Sequence, residues 1–141
     1  MEQLAEFVAK HALLAGGFVA VLCLLAWSEI TRKAQGLKEL SSAQAVVWMN
    51  DAAAVIVDVS AAIDFNKGHI VNARNIAMSR ITDPDAEVLK MKDSKVLLVC
   101  KTGQTALLAA AKLKKSGIEN VAVLKGGMGQ WIADQYPVTR K

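Results

Sequence analysis

Val96-Leu97-Leu98-Val99-Cys100-Lys101-Thr102-Gly103-Gln104-Thr105-Ala106 is the stretch on which the reading of this chain turns. Four apolar residues without alternation predict a strand buried on both faces, as in a parallel sheet. A six-residue loop, Cys100 to Thr105, comes next, and a helical pattern follows from Ala106 to Ser116. Strand, tight loop and helix N-terminus together make a cradle of backbone N–H groups at the positive end of the helix dipole. A Cys at the mouth of that cradle has its thiolate stabilised, and an anionic substrate would be held in the same place. The plain alternative is an inert packing thiol, since free Cys is among the most buried residue types.

Working outward, the same strand signature recurs at Val55-Ile56-Val57-Asp58-Val59 and at Val121-Ala122-Val123-Leu124. Helical segments lie between. Ser41 or Ser42 caps a helix with Ala45, Val46, Trp48 and Met49 as its apolar positions. Ala61 to Asn66 makes one or two turns, and Gly68-His69-Ile70 leads to an extended piece around Asn75-Ile76. Asp83 is the expected N-cap of a further helix with Pro84 at its first position. The helix after Gly103 is expected to turn Leu107, Leu108, Ala111 and Leu113 inward and to stop at Gly117. Gly126-Gly127 opens a short helix carrying Trp131. Strands alternating with helices predict a small α/β domain with a mainly parallel sheet flanked by helices. Ligands sit at the carboxyl ends of such strands, where Cys100 stands.

The chain has 141 residues, 53% of them hydrophobic, and the apolar excess is concentrated near the N-terminus. Ala12 to Trp27 carries no charge, and extending back over Lys10 and His11 to Phe7 reaches the roughly 20 residues that a spanning helix needs. A cleaved signal peptide would want a basic leader, whereas Met1–Ala9 holds Glu2 and Glu6. A globular or interfacial helix would show a polar stripe, which is missing here. The expected organisation is a segment 1–28 with one transmembrane helix at about 8–28, a linker 29–39, and a domain 40–141. Arg32, Lys33 and Lys38 flank the apolar run on its C-terminal side against Lys10 alone on the other. The positive-inside rule then places the C-terminal domain in the cytoplasm and the N-terminus outside, at the cell (inner) membrane.

Two Cys, Cys23 in the anchor and Cys100 in the domain, leave no disulfide framework and suit a reducing compartment. The net charge of +4 is interspersed, as in Lys90-Met91-Lys92-Asp93, which describes solvated faces and not a nucleic-acid stripe. No metal-ligand cluster or nucleotide loop stands out, so no cofactor is expected. His69 and Asp58 are read as structural residues, and Trp131 as core.

With these residues in view, the domain resembles the rhodanese family of sulfurtransferases over roughly Leu40 to Tyr136. The likeness rests on Asp58-Val59 at a strand end, on Gly68-His69-Ile70 followed by Ala73-Arg74-Asn75-Ile76, on Cys100 with Gly103 at the fourth loop position, and on Gly126-Gly127 with Trp131. Ser60 stands where Arg is common in the family, and Thr105 where many members carry Arg.

The resemblance implies an enzyme in which Cys100 takes sulfur from a small donor, thiosulfate or a persulfide, holds it as a persulfide and gives it to a thiol or cyanide acceptor. Lys101, Thr102, Gly103, Gln104 and Thr105 are the implied substrate-binding residues. A second reading keeps the fold as a binding module for membrane-protein partners, with Cys100 idle; in either reading membrane lipid is met through the N-terminal helix. A third, phosphatase chemistry, is disfavoured because Cys-dependent phosphatases use an Arg where Thr105 stands.

Overall fold

The computed structural model describes residues 1–34 and 36–140. Gln35, inside the expected linker, and Lys141, the expected end of the domain, lie outside the described residues, as does the side chain of Arg32. The chain divides into two compact units, Met1–Gly36 and Leu37 onward.

The first unit is two helices, α1 (Glu2–Lys10) and α2 (Ala12–Ala34). The helical path breaks at His11, with φ −125° and ψ 42°. Phe7 to Lys10 therefore belong to a short separate helix, and the apolar helix long enough to cross a membrane runs Ala12–Thr31.

The second unit is built on a five-stranded sheet. In chain order its elements are β1 (Lys38–Leu40), α3 (Ser42–Met49), β2 (Ala54–Asp58), α4 (Ala62–Lys67), β3 (Arg74–Asn75), α5 (Met78–Thr82), α6 (Ala86–Leu89), a 3-10 turn at Lys90–Asp93, β4 (Lys95–Val99), α7 (Gln104–Lys115), β5 (Val121–Leu124) and α8 (Gly127–Ala133). The strand order is β1-β5-β4-β2-β3, every pair parallel, with β4 in the middle. This is the parallel α/β architecture expected from the unbroken apolar strands.

The period-two alternation of β4 sorts its side chains between two cores. Val96 and Leu98 join Ala106, Ala109, Ala110 and Leu113 of α7 on one face. Leu97 and Val99 join Ala45 of α3 with Met128 and Trp131 of α8 on the other. All four strand residues are fully buried. Burying such side chains stabilises the domain by about 1.5–3 kcal/mol each before entropy is counted.

Local chemistry sets the ends of the elements. Ser41 and Gln44 form a capping box that starts α3. Helix α7 ends in a Schellman motif: Ile118 N–H donates to Leu113 O and Gly117 N–H to Lys114 O, with Gly117 at φ +90°. Ser42 Oγ donates to Asp134 Oδ2 at 2.7 Å, tying the start of α3 to the end of α8.

Three local expectations are corrected. Glu29–Glu39 is not a continuous linker, because α2 runs on to Ala34 and Lys38–Leu40 pairs with β5 as an edge strand. The cap of α6 is Asp85, whose Oδ1 accepts from Glu87 and Val88 N–H, while Asp83 ends α5. Leu108 is exposed. Leu113 is buried as expected and Leu107 packs partly against the core, but the inward face of α7 is completed by Ala106, Ala109 and Ala110, a spacing that lies on one helix face and lets the helix pack closely on the sheet.

Candidate active site

Cys100 follows the last residue of β4, the central strand, and is only 3% exposed. The loop after it turns back sharply because Gly103 adopts φ +90°, a conformation in which a Cβ is strained. That turn aims two backbone amides at the thiol: Gly103 N–H donates to Cys100 Sγ at 3.0 Å and Ala106 N–H at 3.4 Å. Ala106 is the third residue of α7, so its N–H has no carbonyl partner within the helix. The sulfur of Cys100 thus takes the place of an N-cap side-chain oxygen. The amides of Gln104 and Thr105, in the same first turn, likewise lack intrahelical acceptors. Negative charge on this sulfur is stabilised by converging N–H dipoles and by the positive end of α7.

The loop is held from outside by α8. Met128 N–H donates to Cys100 O at 2.8 Å and Gly129 N–H to Lys101 O at 3.1 Å. Lys101, Thr102, Gln104 and Thr105 are exposed, and Gly103 is buried in the turn. The structure therefore brings together the thiol and the amides of its loop, and directs the polar side chains of the loop to solvent.

Asp58, His69 and Trp131 serve the scaffold. Asp58 is buried at the end of β2; its Oδ1 accepts from Ser60 N–H at 2.8 Å, and its carbonyl accepts from Ile76 N–H at 3.0 Å. Asn75 Nδ2 donates to the carbonyls of Asp58 and Ser60 at 3.1 and 2.9 Å, fixing the strand end. His69 is stacked on Phe65 with ring centroids 3.7 Å apart, and its Nδ1 lies 2.7 Å from Phe65 O. Trp131 is buried, and its Nε1–H donates to Pro137 O at 2.9 Å.

Sequence reasoning missed a cavity of about 350 Å³ beside the loop, lined by Ser60, Lys67, Lys101, Met128, Val138 and Arg140 among others. Its residues come from five separate segments, so no local signal announces it. Among the described residues no group of three His, Cys, Asp or Glu could hold a metal ion.

This geometry can be set beside known proteins. The chain is 30% identical to the protein YibN of Escherichia coli K12 over 141 residues, 99% of each chain. It is 32% identical over 89 residues to the adenylyltransferase and sulfurtransferase UBA4 of Candida glabrata, covering 57% of this chain and 21% of that one. Among solved structures, a rhodanese-related protein of Thermoplasma volcanium superposes with a TM-score of 0.63 at 26% identity, over 74% of this chain and 99% of that one. The profile of the rhodanese-like domain matches residues 41–134, a span that holds the sheet, Cys100 and its loop. The chain belongs to the rhodanese-like family, which is related to sulfurtransferases.

Proposed function

We propose that this protein is a membrane-anchored sulfurtransferase that carries sulfur as a persulfide on Cys100 and passes it to a thiol or to cyanide. The observation that carries the reading is the pair of amides, Gly103 and Ala106, directed at Cys100 Sγ at the end of the central strand. Membership of a family related to sulfurtransferases supports the same chemistry.

In the first half-reaction the Cys100 thiolate attacks the outer sulfur of the donor. The bond from that sulfur to the donor breaks, its electron pair leaving on sulfite when thiosulfate is the donor or on a thiolate when a persulfide is. The product is a Cys100 persulfide, whose outer sulfur carries the negative charge. Preorganised amides stabilise that charge without reorganisation. Gln104 and Thr105 offer the next N–H groups of the same turn, Lys101 draws the anionic donor in, and the Thr102 and Thr105 hydroxyls are available as hydrogen-bond donors. In the second half-reaction an acceptor thiolate or cyanide takes the outer sulfur and Cys100 leaves as thiolate. Neither step needs an external oxidant or reductant.

The helix Ala12–Thr31 is the proposed anchor. Lys33, Lys38 and Arg32 on its C-terminal side favour a cytoplasmic domain, at the inner membrane, where the thiol stays reduced.

A specific observation favours a second reading: Cys100 is almost fully buried, as an idle packing thiol would be. The fold would then serve as a binding module for membrane-protein partners. Thiocyanate formation by the detergent-solubilised full chain separates the two, with thiosulfate or glutathione persulfide as donor and cyanide as acceptor. The sulfurtransferase reading expects turnover that Cys100→Ser reduces to background. Equal rates for wild type and Cys100→Ser would leave the binding module.

A further inference from the structure

The first unit carries an apolar helix face that stands open. In α1, Leu4, Phe7 and Val8 follow the spacing i, i+3, i+4 and share one side of the helix, with His11 next in the same row. Glu2, Gln3, Glu6 and Lys10 occupy the other side, where Lys10 Nζ donates to Glu6 Oε1 at 2.8 Å. Leu4, Phe7 and Val8 are all exposed, and the Phe7 and His11 rings meet with centroids 4.9 Å apart. Helix α1 is thus amphipathic, whereas the run of α2 from Ala12 to Trp27 carries no charge on any side.

The junction between the two helices has its own chemistry. His11 leaves the helical path at φ −125° and ψ 42°. A helix end leaves its last carbonyls without partners inside the helix. Hydrocarbon cannot satisfy such groups, whereas the hydrated headgroup region can. The 20 residues Ala12–Thr31 already measure about 30 Å at 1.5 Å per residue, the thickness of the hydrocarbon core, without any contribution from α1. The 9 residues of α1 are also too few to hold a helix by themselves in water, so α1 needs a surface to lie on.

Resting on the reading of α2 as a membrane anchor, we propose that α1 is an interfacial helix whose apolar face, Leu4, Phe7 and Val8, docks on the lipid surface of the bilayer. Glu2, Glu6 and Lys10 then face water. Continuity selects lipid as the occupant: one residue, His11, separates α1 from the span, so the face is held beside the bilayer at high effective concentration. Apolar burial drives the contact. Glu2 and Glu6 against Lys10 leave no excess of positive charge on this helix, so the docking does not depend on anionic headgroups. Helix α1 thereby pins its end of the span at the membrane surface.

The test places nitroxide labels on the full chain, in a Cys23→Ala/Cys100→Ser background, reconstituted into vesicles of phosphatidylcholine with and without phosphatidylglycerol. Single cysteines are Gln3→Cys, Leu4→Cys, Glu6→Cys and Val8→Cys in α1, and Val19→Cys in the span. The readout is the collision rate of each label with oxygen, which partitions into lipid, relative to a nickel chelate, which stays in water. The ratio should be several-fold higher at Leu4→Cys and Val8→Cys than at Gln3→Cys and Glu6→Cys, with the first pair at a depth of roughly 5–10 Å, in both vesicle types. Adding Leu4→Gln/Phe7→Gln should return the Val8→Cys label toward water and leave Val19→Cys unmoved. Four α1 labels all in water, all in lipid, or with Leu4→Cys and Val8→Cys shielded from both reagents would overturn the interfacial helix, the last because protein then covers the face. A Val19→Cys label in lipid keeps the anchor standing in each of those cases. A Val19→Cys label in water overturns anchor and interfacial helix together.

Discussion

Gly127 and Cys100 meet backbone to backbone: a Cβ on Gly127 would overlap the Cys100 carbonyl oxygen, and would stand only 2.7 Å from Lys101 C and 2.8 Å from Gly103 N. Gly127 also sits at φ +61°. The first residue of α8 therefore has to be glycine for the loop after Cys100 to close on it.

Gly127→Ala should accordingly destabilise the domain by about 3 kcal/mol, through clash with rigid backbone together with left-handed strain. Urea unfolding of the full chain measures this, followed by a signal of the second unit. Gly129→Ala is the control, because a Cβ there finds its nearest neighbour, Lys101 O, at 3.5 Å. Equal stability of the two variants would mean that the loop yields where the packing says it cannot.

The acid limb of stability follows from three carboxylates. Asp134 is held below the usual carboxylate range by the Ser42 hydroxyl and then by Gln130. Asp85 is held down by Arg80 and by backbone N–H groups, and Asp51 by Lys95 and the Ala53 N–H. Each binds its proton less readily folded than unfolded. The stability they contribute is present above about pH 4, their unfolded value, and is lost as pH falls through the lower folded values. The urea midpoint should stay level from about pH 7 to pH 5 and drop below about pH 4, with a shallower drop in Asp134→Asn. A midpoint that rises on acidification would contradict the assignment.

The strands and the site were legible for a common reason. Val55–Val57, Val96–Val99 and Val121–Leu124 are apolar without alternation, a pattern that fits a twice-covered strand, and Cys100 follows directly from one of them. What escaped was short or non-local. Strand β1 is three residues, Lys38-Glu39-Leu40, whose charges suit an edge and hide its pairing. Asp83-Pro84-Asp85 offers two caps within one short stretch; Asp83 ends α5, and Asp85 starts α6. Leu108 is more apolar than Ala109, yet the alanine faces the sheet because the small side chain permits close approach. The cavity needs α4, the loop, α8 and the C-terminal segment together, which no window of sequence contains.

Topology is testable with an added thiol. Cys100 is too buried to report on a bulky reagent, whereas Val47 is 72% exposed. In a Cys23→Ala/Cys100→Ser/Val47→Cys chain, membrane-impermeant maleimide should not label intact cells and should label once the membrane is opened, as the Lys and Arg bias predicts. Labelling of intact cells would place the domain on the outside.

The central claim is that Cys100 carries sulfur, and the most direct measurement is the intact mass of the full chain after exposure to thiosulfate or glutathione persulfide. The account predicts a gain of about 32 Da, one sulfur atom, located on Cys100, removed by a thiol acceptor and missing in Cys100→Ser. A wild-type mass unchanged by both donors, with Cys100 verified as free thiol beforehand, would contradict it.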